Sequence, residues 1–389
     1  MSIGIGVVLA GALIGFASPR ALFAAMRDRA REPAAKRYLW ATNFLTAACF
    51  LSLLFAKLTP LVLAGEKPNV QFLKDMWKAW YFYWPFLLVP CLLALAPETR
   101  RRAYRVYLYA FGLVAAIGIV EFFTGWPIGQ GIPYLSVKRY HVVGFAGFHL
   151  SFASIAIFPF FVVLAEIFEE RWVPRAHAAL IALLGFLAIF GTYSRQVWIS
   201  LPVGLFLFAV LRLPRRKAAL AIGLGALAAF GAFQIPAVRE RAMNGMGIQE
   251  RLDLWRINFE FFKMRPITGV GWHHNLPMAG AWYRQFRPEV TSPFIGHAHS
   301  NLFEFLAGLG AVGLAAYLFW TWTTLRQAIR VGGALGAAFF SAWIVFHLNG
   351  LTQVNLWESK VLHSMMLSIA MILVARSEDG ARTESGTRP

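Results

Sequence analysis

His299 stands with Ser300 and Asn301 at the head of the apolar run NLFEFLAGLGAVGLAAYLFWTW. Its imidazole has an ordinary pKa close to working pH, which suits it to take a proton from a hydroxyl. Arg195 sits in GTYSRQVW, between two apolar runs with almost no loop. Arg251 lies in GIQERLDLWRINFEFFKMRPITGVGWHHN, residues 247–275. A guanidinium keeps its charge and offers phosphate a planar fork. Charge at membrane depth costs roughly 2.5–3.5 kcal/mol on insertion scales. An arginine at such a boundary therefore either snorkels to the interface or anchors a buried anion. Taken singly, each of these three side chains also has an ordinary interfacial reading.

The elements that must position them are membrane helices. The chain has 389 residues, 58% hydrophobic and only 14% charged, where a soluble domain carries about 25% charge. Apolar runs near the ~20 residues that cross a bilayer recur along it, and backbone in lipid must satisfy its own hydrogen bonds, as a helix does. The expected architecture is an all-α polytopic integral membrane protein, residues 1–376. Spans are predicted near 3–18, 39–60, 77–96, 104–124, 143–168, 177–193, 197–212, 218–235, 300–323, 334–352 and 360–376. That makes eleven, with a twelfth crossing or re-entrant piece near 57–66 or 1–25. The first run has no basic residue before it, so it reads as a retained helix rather than a signal peptide. The polar tail 377–389 reads as disordered.

The net charge of +18 invites a nucleic-acid reading, but its distribution is topological. Of the 37 Lys and Arg, 21 fall in one set of alternate loops; half of the other 16 lie in the single long segment 236–298. Short basic loops favour the cytoplasm. The tail is thus expected inside and 236–298 outside, with His299, Arg195 and Arg251 at the outer face. Within 236–298, Ile248, Leu252, Trp255, Phe259 and Phe262 form a stripe at helical spacing, as in an amphipathic helix lying on a membrane. Arg251 falls at its edge. Pro266 should end the helix, and Gly269 and Gly271 should make a turn. Gly308, Gly310 and Gly313 should let another helix approach closely and so aim the top of the helix that begins after His299.

Other features carry less. Cys49 and Cys91 lie in apolar runs, which leaves no disulfide framework. The pairs His273-His274 and His297-Ala298-His299 lack the Cys or helical carboxylate partners of a usual zinc site, so no metal is expected. There is no Gly-rich phosphate loop, so no nucleotide cofactor is indicated. WKAWYFYW, 77–84, suits an aromatic belt or, less simply, a sugar-stacking platform. Lys138, Arg139 and His141 lie in an outward loop; they read first as a solvated loop and second as contacts for an anionic substrate. Glu121, Glu304 and Glu358 near the boundaries read as structural.

The constellation resembles a known family. His299-Ser300, nine residues, then Gly310-Ala-Val-Gly313 resembles the His-[Asn/Ser/Gln]-x9-Gly-x-x-Gly signature of O-antigen ligases of the WaaL type. Ser194-Arg195 resembles the Ser-Arg pair that opens the domain shared by these ligases, polysaccharide polymerases and protein O-oligosaccharyltransferases. Arg251, Trp255, Pro266, Gly269 and Gly271 resemble its Arg-x-x-x-Trp…Pro-x-x-Gly-x-Gly stretch. The likeness covers roughly residues 180–320. It implies a twelve-helix, GT-C-like glycosyltransferase with a large periplasmic loop in the bacterial inner membrane. It further implies a metal-independent, inverting transfer from an undecaprenyl-pyrophosphate-linked polysaccharide donor to a sugar hydroxyl of lipid A–core. His299, Arg195 and Arg251 would be catalytic. Arg139, Arg265, His297 and Trp255 would bind substrate, and Ser300, Gly310 and Gly313 would be structural. A polymerase or protein O-oligosaccharyltransferase shares the donor. A transporter would place its charges at the midplane of two repeats, whereas here they gather at one face.

Overall fold

The computed structural model describes residues 24, 27–28, 32–132, 138–243, 247–291, 293 and 295–384. Helices in chain order are α1 Pro33–Leu58, α2 Phe72–Met76, α3 Trp84–Ala94, α4 Pro97–Thr124, α5 His149–Glu169, α6 Arg175–Phe190 and α7 Arg195–Arg212. They continue as α8 Arg215–Gln234, α9 Pro236–Met243, α10 Ile248–Met264, α11 Asn275–Phe286, α12 Asn301–Val331, α13 Gly333–Asn349 and α14 Ser359–Glu384. Six of these are long and apolar enough to cross a membrane, and α6, α13 and Ser359–Ala375 of α14 are shorter apolar helices. The chain is an all-α, multi-pass membrane protein.

The span expected at 3–18 lies outside the described residues; every other expected span falls on a helical segment. The one at 77–96 is irregular. It begins as a 3-10 helix, Trp77–Tyr83, and continues as α3. Seven residues rising ~2.0 Å each and eleven rising ~1.5 Å each give about 30 Å, the thickness of a bilayer core. Phe82 from the aromatic stretch is buried edge-on against Trp320, while Trp77 and Trp80 are exposed. Helix α14 runs to Glu384, into the segment expected to be a disordered tail.

Connections are unequal at the two ends of the bundle. Those between α3 and α4, α5 and α6, α7 and α8, and α12 and α13 are a few residues each. At that end Arg100 donates to the carbonyls of Leu92, Leu93 and Leu95, closing α3, and Glu169 accepts from the N–H groups of Ala334 and Leu335 that open α13. Among the described residues, the long connections lie at the opposite end. Helix α5 is buried along most of its length, apolar on every side as an enclosed helix must be. Its Phe158 packs among Phe339, Trp343 and Phe346 of α13. Helix α7 meets α13 where Gly204 lies against Val345. Helix α8 is peripheral, with Ala218 its one buried residue.

Candidate active site

Helix α12 is broken at Gly310, whose φ of 66° and ψ of −164° are not helical. The break frees carbonyls on one side and N–H groups on the other, and in a buried setting both need partners. The stretch after α10 supplies them. Val270 and Gly271 donate to the carbonyls of Ala307 and Gly308, at 2.9 and 3.1 Å, and Ala311 donates to the Pro266 carbonyl at 2.8 Å. Ser52 of α1 adds a 2.6 Å bond to the Gly308 carbonyl. A Cβ on Gly310 would stand 2.4 Å from the Ile267 carbonyl. This corrects the expectation for the glycines. They do permit close approach, but what approaches is the turn and loop 266–271, and not a second helix. Gly313 serves its own helix: a Cβ there would strike the Leu309 side chain across the break.

The same clamp sets the top of α12. Ser300 is the N-cap residue in extended geometry, and Glu304 accepts from the Ala298 N–H at 2.9 Å. The Asn301 N–H donates to the Gly350 carbonyl at 2.7 Å, and its side chain donates to Asn355 at 2.6 Å. The connection 350–358 is thereby fastened to the residue two positions after His299. His299 itself has φ 45°, a left-handed conformation that a side chain adopts only where its surroundings hold it. Its Nδ1 lies 3.1 Å from Gln353 Oε1, and its ring centroid lies 4.2 Å from that of His297. His297 neighbours Trp357 at 6.3 Å, and Trp357 meets His273 edge-on at 3.8 Å. Burial pushes the His299 pKa below the ordinary histidine value and pushes His297 down to about 4, so both rings are neutral at neutral pH.

Helix α10 brings Arg251. Trp255, one turn on, stacks on Phe303 of α12 at 5.3 Å and 16°. Arg251 is half-buried, and its positive charge is among the influences lowering the pKa of His299, after burial. The expected membrane stripe of α10 is left outside at Ile248, Leu252 and Phe259. A second apolar face, Leu254, Ile257 and Phe261, is buried; Ile257 and Phe261 share a small core with Val270, Met278, Ala281 and Trp282.

Arg195 opens α7 with Ser194 as its N-cap. Helices α7 and α13 run antiparallel with Gly204 at Val345. Nine residues back along α7, about 13 Å, puts Arg195 level with the 350–358 connection that holds Gln353. Just before it, Tyr193 has φ 53°, and its carbonyl accepts from Arg241 Nε at 3.1 Å. Arg241, on α9, thus links the Ser194-Arg195 turn to the neighbourhood of Arg251, whose guanidinium feels its charge. Thr192 of the same turn has its carbonyl 2.9 Å from His141 Nδ1, and the His141 ring stacks on His149 at 4.1 Å. Arg139 lies over the Phe123 ring at 5.2 Å, and its charge reaches Tyr193.

His299, His297, Ser300, Arg251 and Trp255 therefore come together. Arg195 and Arg139 lie on adjoining connections at the same end. Arg265 is placed elsewhere: it donates to the Thr59 carbonyl at 2.6 Å and closes the end of α1. His274 is also apart, 3.0 Å from Asp75 of α2. Among the described residues no three His, Cys, Asp or Glu side chains gather as metal ligands. The three boundary glutamates accept backbone or hydroxyl hydrogens: Glu121 from Val143 and Gly144, Glu304 from Ala298, and Glu358 from Ser151. Sequence reasoning missed Gln353, Asn355, Trp357 and Arg241. The polar run NGLTQVNLWES between two apolar helices was the available signal for the first three.

A bundle of membrane helices with a histidine and several arginines on its long-looped end defines a multi-pass membrane protein. Residues 180–318 match the family model described as O-antigen ligase, which is the likeness the motifs indicated. The chain is also similar to provisionally named polysaccharide ligases of Rickettsia prowazekii (strain Madrid E), at 25% identity, and Rickettsia typhi (strain ATCC VR-144 / Wilmington), at 23%. Each match spans 133 residues, 33% of this chain and 33% of the relative. The chain thus aligns with a third of the length of these curated relatives. The segment that the family model matches, residues 180–318, holds Arg195, Arg251 and His299; Arg139 and Gln353 fall outside it.

Proposed function

We propose that the protein is a glycosyltransferase of the O-antigen ligase type, acting at the periplasmic face of the bacterial inner membrane. It moves a glycan from an undecaprenyl-pyrophosphate carrier to a sugar hydroxyl of lipid A–core. The observation that carries this reading is the partly buried His299, with Gln353 Oε1 3.1 Å from its Nδ1, at the head of the helix on which Trp255 of the Arg251 helix stacks. The acceptor hydroxyl gives its proton to His299 while its oxygen bonds to the anomeric carbon of the donor. The bond from that carbon to the pyrophosphate oxygen breaks, and the electron pair leaves with the pyrophosphate. Arg251 and Arg195 face the charge that develops there, the role of fixed donors in a water-poor site. Attack opposite the leaving group inverts the anomeric centre. Guanidinium groups take the part that a metal ion plays in other phosphate-leaving transfers, so the reaction is metal-independent. The excess of Lys and Arg at the short-looped end supports an outward-facing site, and both lipid-anchored substrates can meet there.

On the polymerase reading the donor and the chemistry are shared, and the attacking hydroxyl differs. The test is reconstituted transfer with purified protein, lipid-linked glycan and lipid A–core, in chelator and without nucleotide, with His299→Ala alongside. Transfer to lipid A–core that depends on His299 supports the ligase. Growth of the lipid-linked glycan alone supports the polymerase. Wild-type activity of His299→Ala, in a folded protein, removes the base assignment.

A further inference from the structure

His299 is the base in the reading above, and a histidine can act so only if the nitrogen facing the acceptor carries a lone pair. One partner sets which nitrogen that is. Gln353 Oε1 lies 3.1 Å from His299 Nδ1; a carbonyl oxygen only accepts, so the proton sits on Nδ1 and the lone pair on Nε2. Gln353 is 2% exposed, and it does not reach His299 by chance. The connection that carries it is tied to the His299 side of α12 by Asn301 through the Gly350 carbonyl and the Asn355 side chain, and Asn355 in turn donates to the Phe346 carbonyl at 2.7 Å.

We propose that Gln353 is a positioning residue for His299, holding the Nδ1 proton so that Nε2 takes the proton of the acceptor hydroxyl. It rests on the reading of His299 as base. In the step, Nε2 gains the acceptor proton as the oxygen–carbon bond forms and the pyrophosphate leaves with its electron pair. The imidazolium that results keeps its Nδ1–H on the Gln353 oxygen, which stabilises it. The same arrangement, an acceptor behind a catalytic imidazole, fixes tautomer and orientation wherever it occurs. The other charged and titratable groups that bear on His299 are Arg251 and Glu250 of α10, of opposite effect, and the neighbouring His297.

Two variants separate positioning from mere packing. Gln353→Met keeps the volume and removes the acceptor. Gln353→Glu keeps an acceptor and adds a negative charge. Transfer by full-length protein in lipid nanodiscs is measured across pH, with kcat and KM for the lipid-linked glycan and with thermal melts as the folding control. We expect Gln353→Met to lose roughly tenfold or more in kcat, within the range a general base supplies, at little change in KM. We expect Gln353→Glu to stay active and to move the acid limb of the pH profile to higher pH, because the carboxylate favours the imidazolium. A Glu variant with the wild-type pH profile, while His299→Ala is inactive, overturns the role of Gln353 and leaves the base in place. An active His299→Ala overturns the base assignment and this role together.

Discussion

The backbone of Gly269 lies against that of Gly308 with no room for a side chain: a Cβ on Gly269 would stand 2.4 Å from the Gly308 carbonyl carbon, and Gly269 has φ +67°. This contact joins the end of the α10 segment, which carries Arg251, to the helix that carries His299. It converts two distant stretches of sequence into one site.

Gly269→Ala and Gly310→Ala should therefore be strongly destabilising. Left-handed strain costs of order 1–3 kcal/mol, and displaced backbone costs about as much again. Thermal unfolding in detergent should show a markedly lower midpoint for both. Gly225→Ala on the exposed helix α8, where nothing lies within 4 Å, should leave the midpoint unchanged or raise it, since Gly in a helix interior costs about 0.5–1 kcal/mol against Ala. Equal effects at the three sites would contradict the clamp.

The His299 pKa is lowered, first by burial, and Arg251 lowers it further. Transfer should thus be level through neutral pH and fall in acid, with an acid limb below the ordinary histidine value of about 6.5. Replacing Arg251 by Gln removes a positive charge, so the His299 pKa should rise. Diethylpyrocarbonate reacts with the neutral ring, and the pH dependence of its addition to the His299 peptide, read by mass spectrometry, checks this without needing activity. A midpoint unmoved by Arg251→Gln would separate the two residues.

Arg195→Ala and Arg251→Ala should each lower kcat by about 100-fold or more, the usual loss when a donor to developing charge is removed, while the protein still inserts and folds. Lysine should restore little at either position, because it lacks the paired donors. Full rescue by lysine would mean that a point charge suffices.

Arg241 holds the Tyr193 carbonyl just before Ser194-Arg195. Arg241→Ala should weaken transfer by loosening that turn, with the loss falling on kcat and on donor KM together. Arg239, two residues earlier and exposed, supplies the control, and Arg239→Ala should behave as wild type. A silent Arg241→Ala would leave Arg195 positioned by α7 alone.

The sequence by itself determined that this is a bundle of membrane helices, because apolar runs of bilayer length leave the backbone no other way to satisfy its hydrogen bonds. It also singled out His299, Arg195 and Arg251, because charged and titratable groups at the edges of apolar runs are costly enough to stand out. It did not reveal that Gly310 breaks its helix, since hydropathy reads straight through a glycine, nor that the segment 266–271 fills the break. Gln353 was marked only by the polar run around it, and Arg241 by nothing. Each looks like an ordinary polar loop residue, and becomes part of the site only because α13 delivers the 350–358 connection beside His299 and α9 turns back onto Tyr193. Arg265, which the resemblance placed among the substrate-binding residues, donates to the carbonyl of Thr59, a contact that order along the chain does not show. Chemistry of single residues is legible in order along the chain; which of them meet is decided by packing between segments that the order does not place side by side.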